Sequence, residues 1–242
     1  MIRGEEFEAS ENRLGSMART IALGDIHGCS AALAAVIEAV NPQPDDTIIA
    51  LGDYIDRGPD SRGVVEQLLA LSERCQFIPL LGNHESLLLA VRQSDRQEEA
   101  FDFWVTGCGG DATLDSYGGR LERIPAAHWN FFDSLRRYHE IDTHLFLHAN
   151  YLPHVPLPDQ PDEVLLWSHL FKTPAPHVSG KTAIVGHTPQ PTGQILDAGH
   201  LVCIDTWCFG QGCLTAYDVH TREIWQADKE GRRCRTPRTL NR

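Results

Sequence analysis

No apolar run in this chain approaches the ~20 residues that a bilayer-spanning helix needs. Residues 1–16 are acidic and lack the apolar stretch of a secretory signal peptide, so a cytoplasmic chain is expected. Positive charge is scarce: 21 Lys and Arg stand against 33 Asp and Glu, a net charge of −12. That balance argues against nonspecific partners such as nucleic acid or an anionic membrane. It also means that an anionic substrate would need positive charge supplied locally. The seven cysteines are odd in number and form no CxxC pair. Cys203, Cys208 and Cys213 recur every five residues, which fits no standard zinc spacing, and reduced structural thiols are expected. Repeats and low-complexity tracts are also lacking.

What is present is enough for a packed core: 242 residues, 42% of them apolar. Residues 1–16 read as an extension, 17–230 as one domain, and 231–242 as a basic tail with five arginines beginning at Arg232. The first hundred residues of the domain alternate strand and helix. Short apolar runs at Thr20–Leu23, Thr47–Leu51 and Phe77–Leu81 alternate with helical patterns at Ala31–Val40, Ser61–Leu71 and Glu85–Arg92. Such alternation implies a largely parallel sheet. Arg96–Arg137 reads as a helical insertion, with Trp104, Trp129, Phe131 and Phe132 as its local core. After Tyr138, seven short strands, the last at about 213–218 and 222–226, predict a second, mixed or antiparallel sheet.

The chemistry lies where apolar runs end. Gly24-Asp25-Ile26-His27-Gly28, Gly52-Asp53-Tyr54-Ile55-Asp56-Arg57-Gly58, Gly82-Asn83-His84-Glu85, His148-Ala149-Asn150 and Gly186-His187-Thr188-Pro189 each follow one. Strand ends are where α/β folds place their sites. Carboxylate, imidazole and amide donors without thiolate suit first-row divalent ions. One ion would take Asp25, His27 and Asp53; a second would take Asp53, Asn83, His148 and His187. A shared carboxylate holds two ions ~3.5–4 Å apart, as in two-metal phosphoester hydrolysis. Asn83 and His84 are adjacent and cannot easily serve one ion, which leaves His84 free for proton transfer. Asp56 could orient it, and Arg57 offers a planar fork to phosphate oxygens.

These blocks, running from about Ile21 to Thr206, resemble the phosphoprotein phosphatase family of metallophosphoesterases, of the bacterial serine/threonine phosphatase type. The resemblance implies an α/β four-layer sandwich, with two mixed β-sheets flanked by helices and a dinuclear site at the strand ends. It implies two divalent metals, manganese in most bacterial members with iron or zinc as alternatives, and direct attack by a metal-bridging hydroxide. Asp25, His27, Asp53, Asn83, His148 and His187 correspond to the family's ligands. His84 corresponds to its general acid, Asp56 to that histidine's partner and Arg57 to its phosphate clamp.

Two departures stand out. The family's second phosphate-binding arginine is missing after Leu166-Trp167: no arginine occurs between Arg137 and Arg222, so His169, Lys172 or Lys181 substitutes, or Arg57 clamps alone. Trp207-Cys208-Phe209 replaces an expected small residue and its neighbours after Ile204-Asp205-Thr206. The leading expectation is a phosphatase acting on phosphoserine or phosphothreonine of a protein or peptide. Its first rival is a dinucleoside-polyphosphate hydrolase, a sister family that typically lacks an aspartate at the position of Asp56. A binding module with a dead site is the second rival, but no ligand or acid is missing from the motifs.

Overall fold

A computed structural model describes residues 18–93 and 97–234. The expected extension at 1–16 and the tail beyond Cys234 lie outside the described residues. Three β-branched or apolar strands, β1 (Thr20–Leu23), β2 (Thr47–Ala50) and β3 (Gln76–Pro79), pair in parallel, with Ile21 opposite Ile48 and Ile48 opposite Phe77. The crossovers are α1 (Ser30–Val40) and α2 (Ser61–Ser72). Asp60 caps α2 by accepting the Gly63 amide at 2.8 Å, the side-chain cap that a helix N-terminus lacks within its own backbone. After β3 come α3 (Asn83–Gln93), α4 (Gln97–Asp102), a π-helical turn at Phe103–Gly107, α5 (Gly110–Ser116) and α6 (Ala126–Asp133). The second half contains β4 (Tyr138–Glu140), β5 (His144–Leu147), α7 (Asp162–Trp167), β6 (Thr182–Val185), β7 (Leu196–Asp197), β8 (Leu201–Cys203), β9 (Leu214–Asp218) and β10 (Ile224–Ala227).

The strands form two mixed sheets of five, in the orders β10-β9-β1-β2-β3 and β4-β5-β6-β8-β7. Alternate residues divide them into layers. Ile21, Leu23, Ile48 and Ala50 face α1 and α2, whereas Ala22 and Ile49 face the other sheet. Phe146, Ile184 and Val202 meet Ala22 and Ile49 from the opposite side. Leu145, Leu147, Val185 and Leu201 turn outward against Leu165 and Leu166 of α7. This is the α/β sandwich expected from the motifs.

The sequence reading misplaces the last two strands. β9 and β10 complete the first sheet, where Ala22 pairs with Tyr217, rather than the second. Residues on both faces of β9 are buried, Leu214 and Ala216 against helices and Tyr217 between sheets, so its pattern suits either sheet. The expectation of reduced thiols fails at one pair: Cys213 and Cys234 form a disulfide, while Cys29, Cys75, Cys108, Cys203 and Cys208 are free. His128 and His177, which belong to no motif, are buried and hydrogen-bonded, to the Tyr117 hydroxyl at 2.7 Å and the Val155 carbonyl at 2.9 Å. Among the described residues no helix is long and apolar enough to cross a membrane.

Because Phe146 is fully buried between the sheets, Phe146→Ala should cost about 3–5 kcal/mol in urea denaturation. A loss below about 1 kcal/mol would show that the layer between the sheets is not the core on which they dock.

Candidate active site

The parallel strands β1, β2, β5 and β6 all end at one edge, and the loops that follow carry the expected site residues. Several adopt backbone conformations that residues with a Cβ seldom hold. His27, Asp53, Asp56, Arg57 and His187 have φ of 46°, 51°, 71°, 67° and 62°. Left-handed residues of this kind cost on the order of 1–3 kcal/mol each and persist where their surroundings over-determine them. Those surroundings are visible. The amides of Ile26 and His27 both donate to the Asp53 carbonyl, at 3.0 and 2.8 Å. The Arg57 amide donates to the Gly109 carbonyl at 3.0 Å, and the His187 amide to Asp25 Oδ2 at 2.9 Å. A Cβ on Gly58 would lie 1.9 Å from the His27 carbonyl oxygen, so only glycine lets these two loops meet.

Glu85, in the first turn of α3, holds the loop after β2. Its carboxylate accepts from the amides of Asp53, Tyr54, Ile55 and Gly82 at 2.9, 2.8, 3.2 and 3.1 Å. Burial and the nearby Asp53 charge push this carboxyl up, to about 8, while the amides pull the other way. Sequence reasoning gave Glu85 no role. An acidic residue in a helix's first turn, beside a strand-end glycine, was the signal available.

Two groups of donors flank Asp53. One comprises His27, Asp53 and His84; the other comprises Asp53, His148 and His187, with the ligand atoms of each group within 4.8 Å of one another. The Asp53 oxygens divide between them: Oδ2 lies 3.5 Å from His27 Nε2, and Oδ1 lies 3.5 Å from His148 Nε2. Hydrogen bonding fixes the histidine tautomers. Nδ1 of His27 donates to the Ile55 carbonyl at 3.0 Å, Nδ1 of His148 to the Leu51 carbonyl at 2.9 Å, and Nε2 of His187 to the Trp167 carbonyl at 3.1 Å. In the neutral ring the other nitrogen then carries a lone pair. His148 Nε2 and His187 Nδ1 both lie 2.9 Å from Asn83 Oδ1 and 3.2 Å from each other. With Asn83 Oδ1 facing them, three acceptors converge with no proton between them. A bound cation would satisfy that arrangement.

Asp25 stands outside both groups. Its Oδ1 is buried without a hydrogen-bond partner, while Oδ2 is taken by the His187 amide. An orphaned buried carboxylate oxygen is costly unless an ion satisfies it. Asp25, His27, Asp53, Asn83, His148 and His187 therefore fit divalent metal ions by their chemistry and by what they leave unsatisfied.

The electrostatics separate His84 from the ligand candidates. Burial pushes His27 and His148 below their ordinary value, and His187 down to about 3, as suits neutral rings that offer lone pairs. Burial also opposes charge on His84, but the Asp53 charge and the Asp56 hydrogen bond outweigh it and raise the ring's pKa. His84 Nδ1 donates to Asp56 Oδ2 at 2.7 Å. Asp56 is completely buried and also accepts from Trp104 Nε1 at 2.9 Å and Thr113 Oγ1 at 2.6 Å. The helical insertion thus reaches the site through two side chains that sequence reasoning left in a local core or passed over. Arg57 is exposed; its Nη1 lies 3.0 Å from His27 Nε2, and its guanidinium lies over Phe209 at 4.7 Å. His169 is exposed and stacks on His187 with ring centroids 4.4 Å apart. Asp205 is a further buried carboxyl, pushed up to about 7 mainly by burial.

Fold and site together define a class. The family model for calcineurin-like phosphoesterases matches residues 18–210, and the chain belongs to that family. Among curated relatives, one from Janthinobacterium sp. (strain Marseille) named "Bis(5'-nucleosyl)-tetraphosphatase, symmetrical" is 30% identical over 135 residues, 55% of this chain and 44% of that protein. A protein of the same name from Burkholderia pseudomallei is 41% identical over 71 residues, 29% of this chain and 24% of its own. The chain therefore spans less than half the length of these relatives. A crystal structure assigned provisionally to the diadenosine tetraphosphatases superposes with a TM-score of 0.65 at 24% identity, over 87% of this chain and 93% of that one. A serine/threonine phosphatase from Saccharomyces cerevisiae shares the fold at 0.56 and 19% identity, over 84% of this chain and 73% of that one.

These relatives overturn the expectation of a serine/threonine protein phosphatase with a phosphorylated protein or peptide as substrate. That expectation leaned on Asp56. The structure shows Asp56 accepting hydrogen bonds from His84, Trp104 and Thr113, contacts that do not by themselves select a protein substrate.

Asn83→Ala and His187→Ala should each weaken Mn2+ binding at least tenfold in calorimetric titration of chelator-stripped protein, whereas His84→Asn should leave it within about twofold. Lost binding in His84→Asn would make that ring a ligand.

Proposed function

We propose that this chain hydrolyses dinucleoside polyphosphates of the diadenosine tetraphosphate type. The observation that carries the reading is the name shared by curated relatives from separate genera, Janthinobacterium, Burkholderia and Bordetella. Symmetrical cleavage breaks the bond between the two central phosphates, and water then yields two nucleoside diphosphates. The expected cytoplasmic setting belongs to the same reading.

Asp25, His27, Asp53, Asn83, His148 and His187 would hold two divalent ions, with manganese the expected metal. When bound, such ions polarise phosphoryl oxygens and acidify water. The chain's own groups do the rest. Arg57, exposed beside His27, presents its guanidinium to the phosphate oxygens. His84, charged and oriented through Nδ1 by Asp56, presents Nε2 toward Asp53, 3.9 Å from its Oδ2. From there it delivers a proton to the departing diphosphate oxygen. His169, stacked on His187, lines the other side of the phosphate site in place of the missing arginine.

Manganese-loaded protein offered diadenosine tetraphosphate and a phosphoserine peptide side by side should release ADP as the only nucleotide product and leave the peptide almost untouched. Products ATP and AMP, or faster release of phosphate from the peptide, would overturn the reading. His84→Asn should lower kcat on diadenosine tetraphosphate by about 10²–10⁴-fold, the usual worth of a positioned acid. An unchanged kcat would remove His84 from proton transfer.

A further inference from the structure

A cavity of about 340 Å³ lies beside Arg57, on the Phe209 side of the site, lined by Arg57, Pro59, Phe209, Lys229 and Glu230 among others. That volume falls within the ~300–1,000 Å³ of small-ligand pockets. Two residues join it to the site. The Arg57 guanidinium touches His27 at 3.0 Å and covers the Phe209 ring at 4.7 Å, and that ring stands edge-on to His27 at 4.9 Å. Arg57 is therefore a wall that the metal-ligand loops and the cavity share.

The charge of the cavity is not that of the chain. Against a net charge of −12, it presents two cationic side chains. Among the described residues, Lys229 makes no ion pair with any carboxylate. The acid that lines the cavity, Glu230, is engaged by Arg232 at 3.0 Å. The turn carrying Lys229 is built rather than loose. Asp228 accepts the amides of Glu230 and Arg232 at 3.1 and 2.9 Å, and Gly231 packs at φ 81° against the Ala31 carbonyl. The Cys234 amide then bonds the Gln226 carbonyl at 3.0 Å, and the Cys213–Cys234 disulfide ties the segment down.

We propose that this cavity is a second phosphate subsite, in which Lys229 and Arg57 bind the phosphates of a polyphosphate chain beyond the one at the metal ligands. The inference rests on the polyphosphate reading above and adds how such a chain is distinguished from a phosphomonoester, which has no further phosphate to place there. Phe209, in the Trp207-Cys208-Phe209 stretch that departs from the family pattern, holds Arg57 between the two subsites. Lys229 is thus a specificity-determining residue that touches the substrate but not the reacting bond.

The test is Lys229→Ala, with Lys229→Arg as the conservative control; the residue is exposed, so folding should be unaffected. KM for diadenosine tetraphosphate should rise about tenfold in Lys229→Ala, the lower end for a charge-assisted contact, and kcat should hold. Turnover of p-nitrophenyl phosphate should stay within about twofold, and Lys229→Arg should restore KM. Independently of turnover, the inhibition constant of ADP on p-nitrophenyl phosphate hydrolysis should rise about tenfold while that of orthophosphate does not move. Equal changes for ADP and orthophosphate, or no change for ADP, would overturn the subsite. Failure of the wild-type protein to cleave diadenosine tetraphosphate would instead overturn the polyphosphate reading, and the ADP comparison would still decide the subsite.

Discussion

One buried carboxylate, that of Glu85, organises the site. It accepts four backbone amides from two different strand-end loops, at Asp53, Tyr54, Ile55 and Gly82. The left-handed turn at Asp53 is held in this way, and Asp53 in turn faces both groups of candidate ligands. The same turn receives the amides of Ile26 and His27, which set the first loop against the second. A buried carboxylate without these partners would be among the costliest groups a fold can contain. With them, it converts strand ends into a fixed frame.

Within that frame, polar groups are arranged for something outside the chain. Backbone carbonyls occupy one nitrogen each of His27, His148 and His187 and leave the other facing inward. Asp25 keeps a buried oxygen unsatisfied. Folding alone gains nothing from converging acceptors, because an unpaired buried acceptor costs about 1–3 kcal/mol. Bound cations would supply the missing compensation. His84 is the exception that defines the chemistry: the Asp53 charge and the Asp56 carboxylate on its Nδ1 outweigh burial, so its pKa is raised where those of its neighbours are lowered.

Much of this is legible in the sequence. The strand ends at Leu23, Ala50, Leu147 and Val185 fall at or beside the limits expected from apolar runs, and the loops after them carry the motif residues. What escaped was non-local. β9 has two buried faces, so its pattern does not name its sheet. Trp104 packs in the insertion as expected, yet its indole nitrogen reaches Asp56 across 48 positions. Glu85 reaches back 32 residues to Asp53, a distance no helical or strand period encodes. Substrate class was read from the resemblance of the motif blocks, with Asp56 deciding between phosphatase and polyphosphate hydrolase, and Asp56 hydrogen-bonds His84, Trp104 and Thr113, contacts that do not by themselves select a leaving group.

The central claim is that Asp53 joins two metal positions while His84 serves neither. Anomalous diffraction from crystals of manganese-loaded protein tests it most directly. The account predicts two peaks ~3.5–4 Å apart, one on each side of the Asp53 carboxylate, with His84 Nδ1 still on Asp56 and its Nε2 outside bonding distance of either peak. A single peak away from Asp53, or a peak ligated by His84, would contradict it.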